Sequence, residues 1–124
     1  VLFEQRANIP THLSQLQSLK ASAEEAWGIF TAGSADHLGA LVHRTWSEKK
    51  KLAANISSPL IDQLYAKALQ AGATGGKVVG AGSGGHLLLY CPPDRQPFVR
   101  ESLGLREVPF RFCSHGSQVI FHSQ

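Results

Sequence analysis

The spacing of apolar residues changes near residue 73 of the chain. Up to Gly72, apolar positions recur at intervals of three, four or seven residues, which is the period of one face of an α-helix. After Thr74 they form short runs or alternate with other residues, which is typical of β-strands. The pattern therefore predicts a helical first part and a second part built mainly from strands.

The first part predicts three helices, over residues 11–33, 34–52 and 57–72. Residues with hydroxyl side chains suit the N-caps of these helices, and glycines suit the stops at their C-terminal ends. The predicted N-caps are Thr11, Ser34 and either Ser57 or Ser58, and the predicted stops are Gly33 and Gly72. Pro59 fits the first turn of the third helix, where its missing N–H has no partner to lose. Trp27 and Trp46 fall on apolar helix faces and are predicted to belong to the core.

The second part predicts a mostly antiparallel sheet of about four strands, crossed by one helix. The predicted strands span residues 77–79, 86–91, 108–112 and 118–122, and the helix spans residues 95–103. Gly104 is the predicted stop of this helix. Pro109 cannot donate to a ladder, so its strand is expected at an edge or at a bulge. Together the two parts predict an α+β fold with N-terminal helices followed by the sheet.

The composition fits one globular domain. Hydrophobic residues make up 43% and charged residues 17% of the 124 residues, and this length buries about two thirds of the unfolded surface in one core. No apolar run approaches the roughly 20 residues of a membrane span, and the first residues lack the features of a signal peptide. These observations predict a cytoplasmic protein with no membrane partner. Because the sequence contains no Met, we expect it to be part of a longer protein.

Charge, cysteine and histidine content argue against nucleic-acid binding, a disulfide framework and a metal site. Twelve Lys and Arg against nine Asp and Glu give a net charge of +3. The basic cluster at residues 49–51 is typical of a solvated helix end, so no nucleic-acid partner is expected. Cys91 and Cys113 are too few for a disulfide framework or a zinc site. His37 and His43 are six positions apart, which is not the spacing of two metal ligands on one helix face.

A loop at residues 80–85 is the most informative segment, because four of its six residues are glycine. Glycine loses more backbone entropy on folding than any other residue, so this density indicates a need for bare main chain. Two explanations remain open on the residues alone. Main-chain N–H groups approach an anion such as a phosphate, or the loop is a tight hairpin with close backbone packing.

Three nucleotide-binding motifs do not fit this loop. Gly80, Gly82 and Gly85 satisfy the pattern G-x-G-x-x-G, but Pro92 and Pro93 end the next segment after one strand, where a dinucleotide fold needs a helix. The protein-kinase motifs V-A-I-K, H-R-D and D-F-G do not occur in the sequence. A P-loop would end in G-K-S or G-K-T, whereas this loop leads into Gly-Gly-His.

The segment resembles the third signature motif of the GHMP small-molecule kinases, the superfamily of galactokinase, homoserine kinase, mevalonate kinase and phosphomevalonate kinase. That motif is written around G-G-K-x-x-G-A-G-G-G-G followed by Phe or Cys, and residues 75–86 are Gly-Gly-Lys-Val-Val-Gly-Ala-Gly-Ser-Gly-Gly-His. Ser83 replaces a usual glycine, and His86 stands where Phe or Cys is common. Further stretches resemble the C-terminal half of D-glycero-D-manno-heptose 7-phosphate kinases and, in part, fucokinases. They are residues 46–52, 56–62, 105–112 and 116–120.

The resemblance implies a ferredoxin-like C-terminal domain of a two-domain enzyme. That enzyme would transfer the γ-phosphoryl group of ATP, with Mg²⁺, to a sugar or sugar phosphate, in the closest branch a heptose 7-phosphate. By motif position, a phosphate- or substrate-binding role falls on Gly80, Ala81, Gly82, Ser83, Gly84 and Gly85. The main phosphate-binding motif of the family, Pro-x-x-x-Gly-Leu-Gly-Ser-Ser, belongs to the N-terminal half and does not occur here. We therefore expect residues 1–124 to be one domain that does not catalyse alone, with the catalytic residues in the other half.

Two classes of function follow. The chain is either this kinase domain, with ATP and a sugar or sugar phosphate as partners, or a non-catalytic ferredoxin-like binding or regulatory module whose loop is only a turn. His86 is expected to be a strand side chain at the edge of the cleft rather than a catalytic base. A face that docks on the N-terminal half would be apolar, so the isolated chain is expected to self-associate through it.

Overall fold

The computed structural model describes residues 12–33, 37–80 and 84–116. Within them the chain forms four α-helices, one short 3-10 turn and two β-strands. These elements are α1 (Leu13–Thr31), α2 (Leu38–Lys50), the 3-10 turn (Ala54–Ile56), α3 (Pro59–Gln70), β1 (Gly75–Val79), β2 (His86–Tyr90) and α4 (Gln96–Leu103). The predicted α+β class with N-terminal helices is thus confirmed. Among the described helices none is long and apolar enough to cross a membrane.

Helix α3 has both of its predicted ends. The Ser58 hydroxyl accepts a hydrogen bond from the Ile61 N–H at 3.3 Å, and Pro59 occupies the first turn. At the other end Gly72 adopts a φ of +114°, and the Ala73 N–H donates to the Ala68 carbonyl at 2.9 Å. This Schellman arrangement satisfies a carbonyl that the helix leaves unpaired and brings two buried alanines together.

The other helix ends agree with the sequence where they are described. Gly33 follows α1 with a φ of +72°, and Gly104 follows α4 with a φ of +59°. Both predicted glycine stops are confirmed, because the left-handed conformation that ends each helix strains any other residue. Helix α2 begins at Leu38, directly after His37. The predicted caps Thr11 and Ser34 lie outside the described residues.

The two strands form one antiparallel hairpin, with Gly75 opposite Tyr90 and Val79 opposite His86. Strand β1 begins at Gly75, earlier than the predicted start at residue 77. A Cβ atom at Gly75 would lie 1.8 Å from the carbonyl oxygen of Gly39 in α2. Glycine is present there because the main chains of strand and helix touch, and such a long-range contact has no signal in the local sequence.

The core lies between α2, α3 and the hairpin. Its larger cluster contains Trp46, Leu52, Ala53, Ile56 and Tyr65, and the strand residues Val78, Leu87 and Leu89 pack against it. A second cluster joins α3 to α4 through Ala68, Ala73 and Val99. Trp46 is 3% exposed, which confirms its prediction as core. The hairpin that carries the glycine loop is therefore held from one side by two helices.

Helix α1 differs from its predicted role. Leu16 and Leu19 pack against the larger core cluster, but Trp27 is 73% exposed and Phe30 is also exposed. The prediction that Trp27 belongs to the core was wrong. Helix α1 has 19 residues and α2 has 13, so at about 1.5 Å per residue α1 is longer than the helix on which it lies.

The predicted strand at residues 108–112 is not present, since residues 104–116 contain neither helix nor strand. Phe110 and Phe112 contact each other edge to face at 5.7 Å, and both are exposed, Phe112 at 95%. The alternation of apolar residues predicted that these rings line the buried face of a strand. In the structure they are exposed to solvent instead. The predicted partner strand, residues 118–122, lies outside the described residues. A sheet of four strands and a ferredoxin-like topology are accordingly not observed, and the described sheet has two strands.

The segment after α4 is tethered by one ion pair. Arg100 of α4 donates two hydrogen bonds to the carboxylate of Glu107, at 2.7 and 3.0 Å. The pairing lowers the pKa of Glu107 and raises that of Arg100. Both side chains are exposed, so the pair orients the segment and adds little to stability.

Candidate functional site

The glycine loop closes the hairpin between β1 and β2. Because Val79 pairs with His86, the loop consists of the six residues 80–85 between the strands. Gly80, Gly84 and Gly85 are described and exposed. The other predicted site residues, Ala81, Gly82 and Ser83, lie outside the described residues. The main chain at both ends of the loop is therefore accessible to a ligand.

Two of the loop glycines are required by the hairpin itself. Gly80 has a φ of +108° and Gly85 a φ of +115°, values in the region that side-chain-bearing residues rarely adopt. A Cβ atom on Gly85 would also lie 2.3 Å from the carbonyl oxygen of Val79. At these two positions the tight-turn explanation is sufficient.

Gly84 is different from its neighbours. A Cβ atom at Gly84 would have no heavy atom within 4 Å, and its φ is outside the left-handed range. Neither packing nor backbone conformation among the described residues requires a glycine there. Bare main chain that faces open space allows an anion to approach N–H groups closely, so Gly84 is the described position that favours the phosphate explanation.

His86 begins β2 immediately after the loop and is exposed. As predicted, it is a strand residue. Directly opposed residues of an antiparallel pair share one face of the sheet, so His86 and Leu88 lie on the same face as Val79 and Lys77. This face carries the two titratable side chains nearest the loop.

A buried tyrosine fixes the strand that leads into the loop. The Tyr65 hydroxyl of α3 lies 2.8 Å from Nδ1 of His43 in α2, and the two rings stack with their centroids 5.8 Å apart. Burial raises the pKa of Tyr65, and a main-chain hydrogen bond from Gly76 of β1 opposes part of that rise. The phenol is therefore neutral at pH 7 and can donate to His43 while it accepts from the strand.

The sequence did not predict this link between α2, α3 and β1. The spacing of His43 and His37 was considered only for metal binding, and no prediction was made for the hydroxyl of Tyr65. A tyrosine at a buried position, where a phenylalanine would fill the same space, is a signal that its hydroxyl has a partner. The identity of that partner depends on the packing of three elements and is not visible in the sequence.

The basic cluster at residues 49–51 is partly neutralised within the fold. Lys50 contacts Asp62 of α3 at 2.8 Å, and Lys51 contacts Glu48 at 2.7 Å. Hydrogen bonds from the Lys50 ammonium and the Ser57 hydroxyl lower the pKa of Asp62. Burial of the carboxyl group opposes this effect, but the pKa stays below its ordinary value. The pairing of these two lysines agrees with the predicted solvated helix end.

The described residues of the loop are glycines, which offer main-chain groups rather than carboxylate or imidazole ligands. No three His, Cys, Asp or Glu side chains of the described ranges come together as metal ligands. The loop contributes main-chain groups, which suit phosphate oxygens rather than Mg²⁺.

Comparison with known proteins identifies a family. A family model described as "GHMP kinases C terminal" matches residues 16–107, which include α1 from its fourth residue, the other three described helices, the hairpin and the glycine loop. No curated protein matches the chain. The family match covers most of the chain, and it carries no information on the substrate.

Proposed function

The chain belongs to the GHMP kinase family as a C-terminal domain, and on that premise we propose that it forms the substrate side of an ATP-dependent sugar kinase. The proposed acceptor is a D-glycero-D-manno-heptose 7-phosphate, because residues 46–52 and 105–112 resemble that branch. An N-terminal half would supply the main phosphate-binding motif and the catalytic residues. ATP with Mg²⁺ would be the phosphoryl donor.

The open main chain at Gly84 carries this proposal. The loop over residues 80–85 is the proposed phosphate- or substrate-binding segment, and its described residues are all exposed. Gly80 and Gly85 shape the turn, while neither the described neighbours of Gly84 nor its own φ requires a glycine at that position. A purely structural turn would need the first two glycines and not the third.

The contribution of this domain would be position and electrostatics. Phosphoryl transfer depends on aligned reactants and on donors aimed at the phosphoryl oxygens rather than on covalent help from the protein. Main-chain N–H groups of the loop would hold a phosphate group, and the contact of Tyr65 with Gly76 would keep β1 in place beneath them. Donors that are fixed before the reaction are worth more than mobile ones, because no reorganisation is needed as charge develops.

A kinase assay on the full-length gene product tests the proposal. Heptose 7-phosphate, fucose, galactose and mevalonate would be supplied side by side with ATP and Mg²⁺, and the 124-residue chain alone would be the control. We expect ATP-dependent phosphorylation of heptose 7-phosphate to be the fastest, and no turnover by the chain alone. Preference for another acceptor would contradict the heptose assignment. Inactivity with every acceptor, or turnover by the chain alone, would contradict the proposed division between the two halves.

A further inference from the structure

A second site lies in a cavity between α1 and α2. The cavity has a volume of about 280 Å³ and is bounded on one side by Lys77 of β1. Its wall is mainly apolar, with Leu19, Ala23 and Ala26 from α1 and Leu41, Val42 and Trp46 from α2. Alanines on one helix opposite larger residues on the other leave space that the two helices do not fill.

Two cations at this cavity have no charged partner among residues 12–33, 37–80 and 84–116. Lys49 and Lys77 both line it and are exposed, and neither forms an ion pair or a side-chain hydrogen bond with another described residue. Their neighbours differ, since Lys50 pairs with Asp62 and Lys51 with Glu48. An apolar cavity with two free ammonium groups is complementary to a ligand that combines an apolar body with an anionic group.

The indole of Trp46 is a further feature of the cavity wall. Its side chain lines the cavity, and its indole Nε1 is buried without a hydrogen-bond partner in the described part of the chain. A buried indole N–H usually has an acceptor, because leaving it unpaired is costly.

The volume limits the size of the ligand. An apolar cavity of roughly 150 Å³ takes up benzene, and this cavity is larger, at about 280 Å³. Drug-sized ligands occupy pockets from about 300 Å³ upward. The space therefore suits a medium-length alkyl chain better than a nucleotide.

We propose that the cavity between α1 and α2 binds an amphipathic carboxylate of the medium-chain fatty-acid class. Its alkyl chain would lie between the helices, and its carboxylate would meet Lys49 and Lys77. The inference does not rest on the proposed kinase function, because its test is a binding measurement, although Lys77 also belongs to the glycine motif at residues 75–86.

Decanoate, kept below its micelle-forming concentration, is the probe. It would be titrated into the ¹⁵N-labelled 124-residue chain while the two indole N–H resonances are followed by NMR. We expect the Trp46 resonance to shift and saturate, and the resonance of the exposed Trp27 to move much less. 1-Decanol, which has the same alkyl chain without the charge, should bind about tenfold more weakly, and acetate should not bind. Equal affinity for decanol and decanoate, or an unshifted Trp46, would overturn the proposal.

Matched variants separate this site from general charge attraction. The double variant Lys49→Gln/Lys77→Gln should weaken decanoate binding about tenfold, whereas Lys67→Gln/Arg106→Gln, which removes the same charge elsewhere, should not. Ala26→Phe should fill the cavity and abolish binding of both decanoate and decanol. The two lysines are exposed, so their replacement leaves the fold intact even where Ala26→Phe does not. Equal affinities in the two double variants would refute the assignment of the lysines.

Discussion

At the scale of single residues, the hydroxyl of Tyr65 does the most to join separate elements. It contacts His43 of α2 at 2.8 Å and the main chain of Gly76 in β1, while its ring belongs to the larger core cluster. Tyr65→Phe keeps the ring and removes only the hydroxyl. We expect the free energy of unfolding to fall by about 1–3 kcal/mol, because the partners lose a hydrogen bond inside the fold. Urea denaturation of the two proteins measures the difference.

Tyr90→Phe is the matched control for this prediction. Tyr90 lies at the end of β2, is partly buried, and its hydroxyl has no hydrogen bond among the described residues. Its loss should change the free energy of unfolding by no more than about 0.5 kcal/mol. If Tyr65→Phe were as stable as the Tyr90 variant, the proposed role of the hydroxyl in holding β1 would be wrong.

The same scale shows how far a sequence can predict this site. The glycine pattern located the loop, because bare main chain is a property of the residues themselves. It could not separate the roles of Gly80 and Gly85 from that of Gly84, since the φ values and the space around each position depend on the register of the hairpin. The contact between His43 and Tyr65 escaped prediction for the same reason, as it joins residues from different elements.

At the scale of elements, predictions succeeded where the signals were local. The Ser58 cap, Pro59 and the glycines after α3 and α4 act within one turn of the helix they delimit. Predictions failed where another element decides the outcome. Strand β1 begins at Gly75 because α2 touches it there, and Phe110 alternates with its neighbours as in a strand but is exposed in the described part of the chain.

The ion pair between α2 and α3 predicts a pH dependence of stability. Lys50 and Ser57 lower the pKa of Asp62 below its ordinary value of 3.8. A carboxylate with a lowered folded-state pKa stabilises the fold above its unfolded pKa, and the stabilisation is lost as the pH falls through the folded value. Asp62→Asn should therefore cost about 0.2–1 kcal/mol at pH 7, as is usual for an exposed pair. The difference from the wild type should shrink below about pH 4, when unfolding is followed from pH 7 to pH 3.

Glu101→Gln provides the comparison for Asp62→Asn. Glu101 is exposed on α4 and has no ion pair with another described residue, so its loss should leave the pH profile of stability unchanged. A constant difference between Asp62→Asn and the wild type across the pH range would mean that the ion pair is not the source of the effect.

At the scale of the whole molecule, several large apolar side chains of the described residues are exposed. Trp27 and Phe30 on α1, and Phe110 and Phe112 after α4, are exposed. Neither the number of strands in a sheet nor the cavity between α1 and α2 follows from local patterns, because both arise from the packing of distant segments. The family was recognised from the motif at residues 75–86. The spacing of apolar residues alone predicted secondary structure but not the family.

The measurement that tests the central claim most directly is the activity of a Gly84→Leu variant of the full-length kinase, compared with Gly28→Leu. A Cβ atom would meet no heavy atom of another element within 4 Å at either position, so both variants should fold, which thermal unfolding checks. If main-chain access at the loop serves a phosphorylated ligand, Gly84→Leu should lower kcat/KM by about tenfold or more, because even a small misplacement of the reactants is costly in rate. Gly28→Leu should retain the wild-type value. Equal kcat/KM values for the two variants would show that the loop is only a turn.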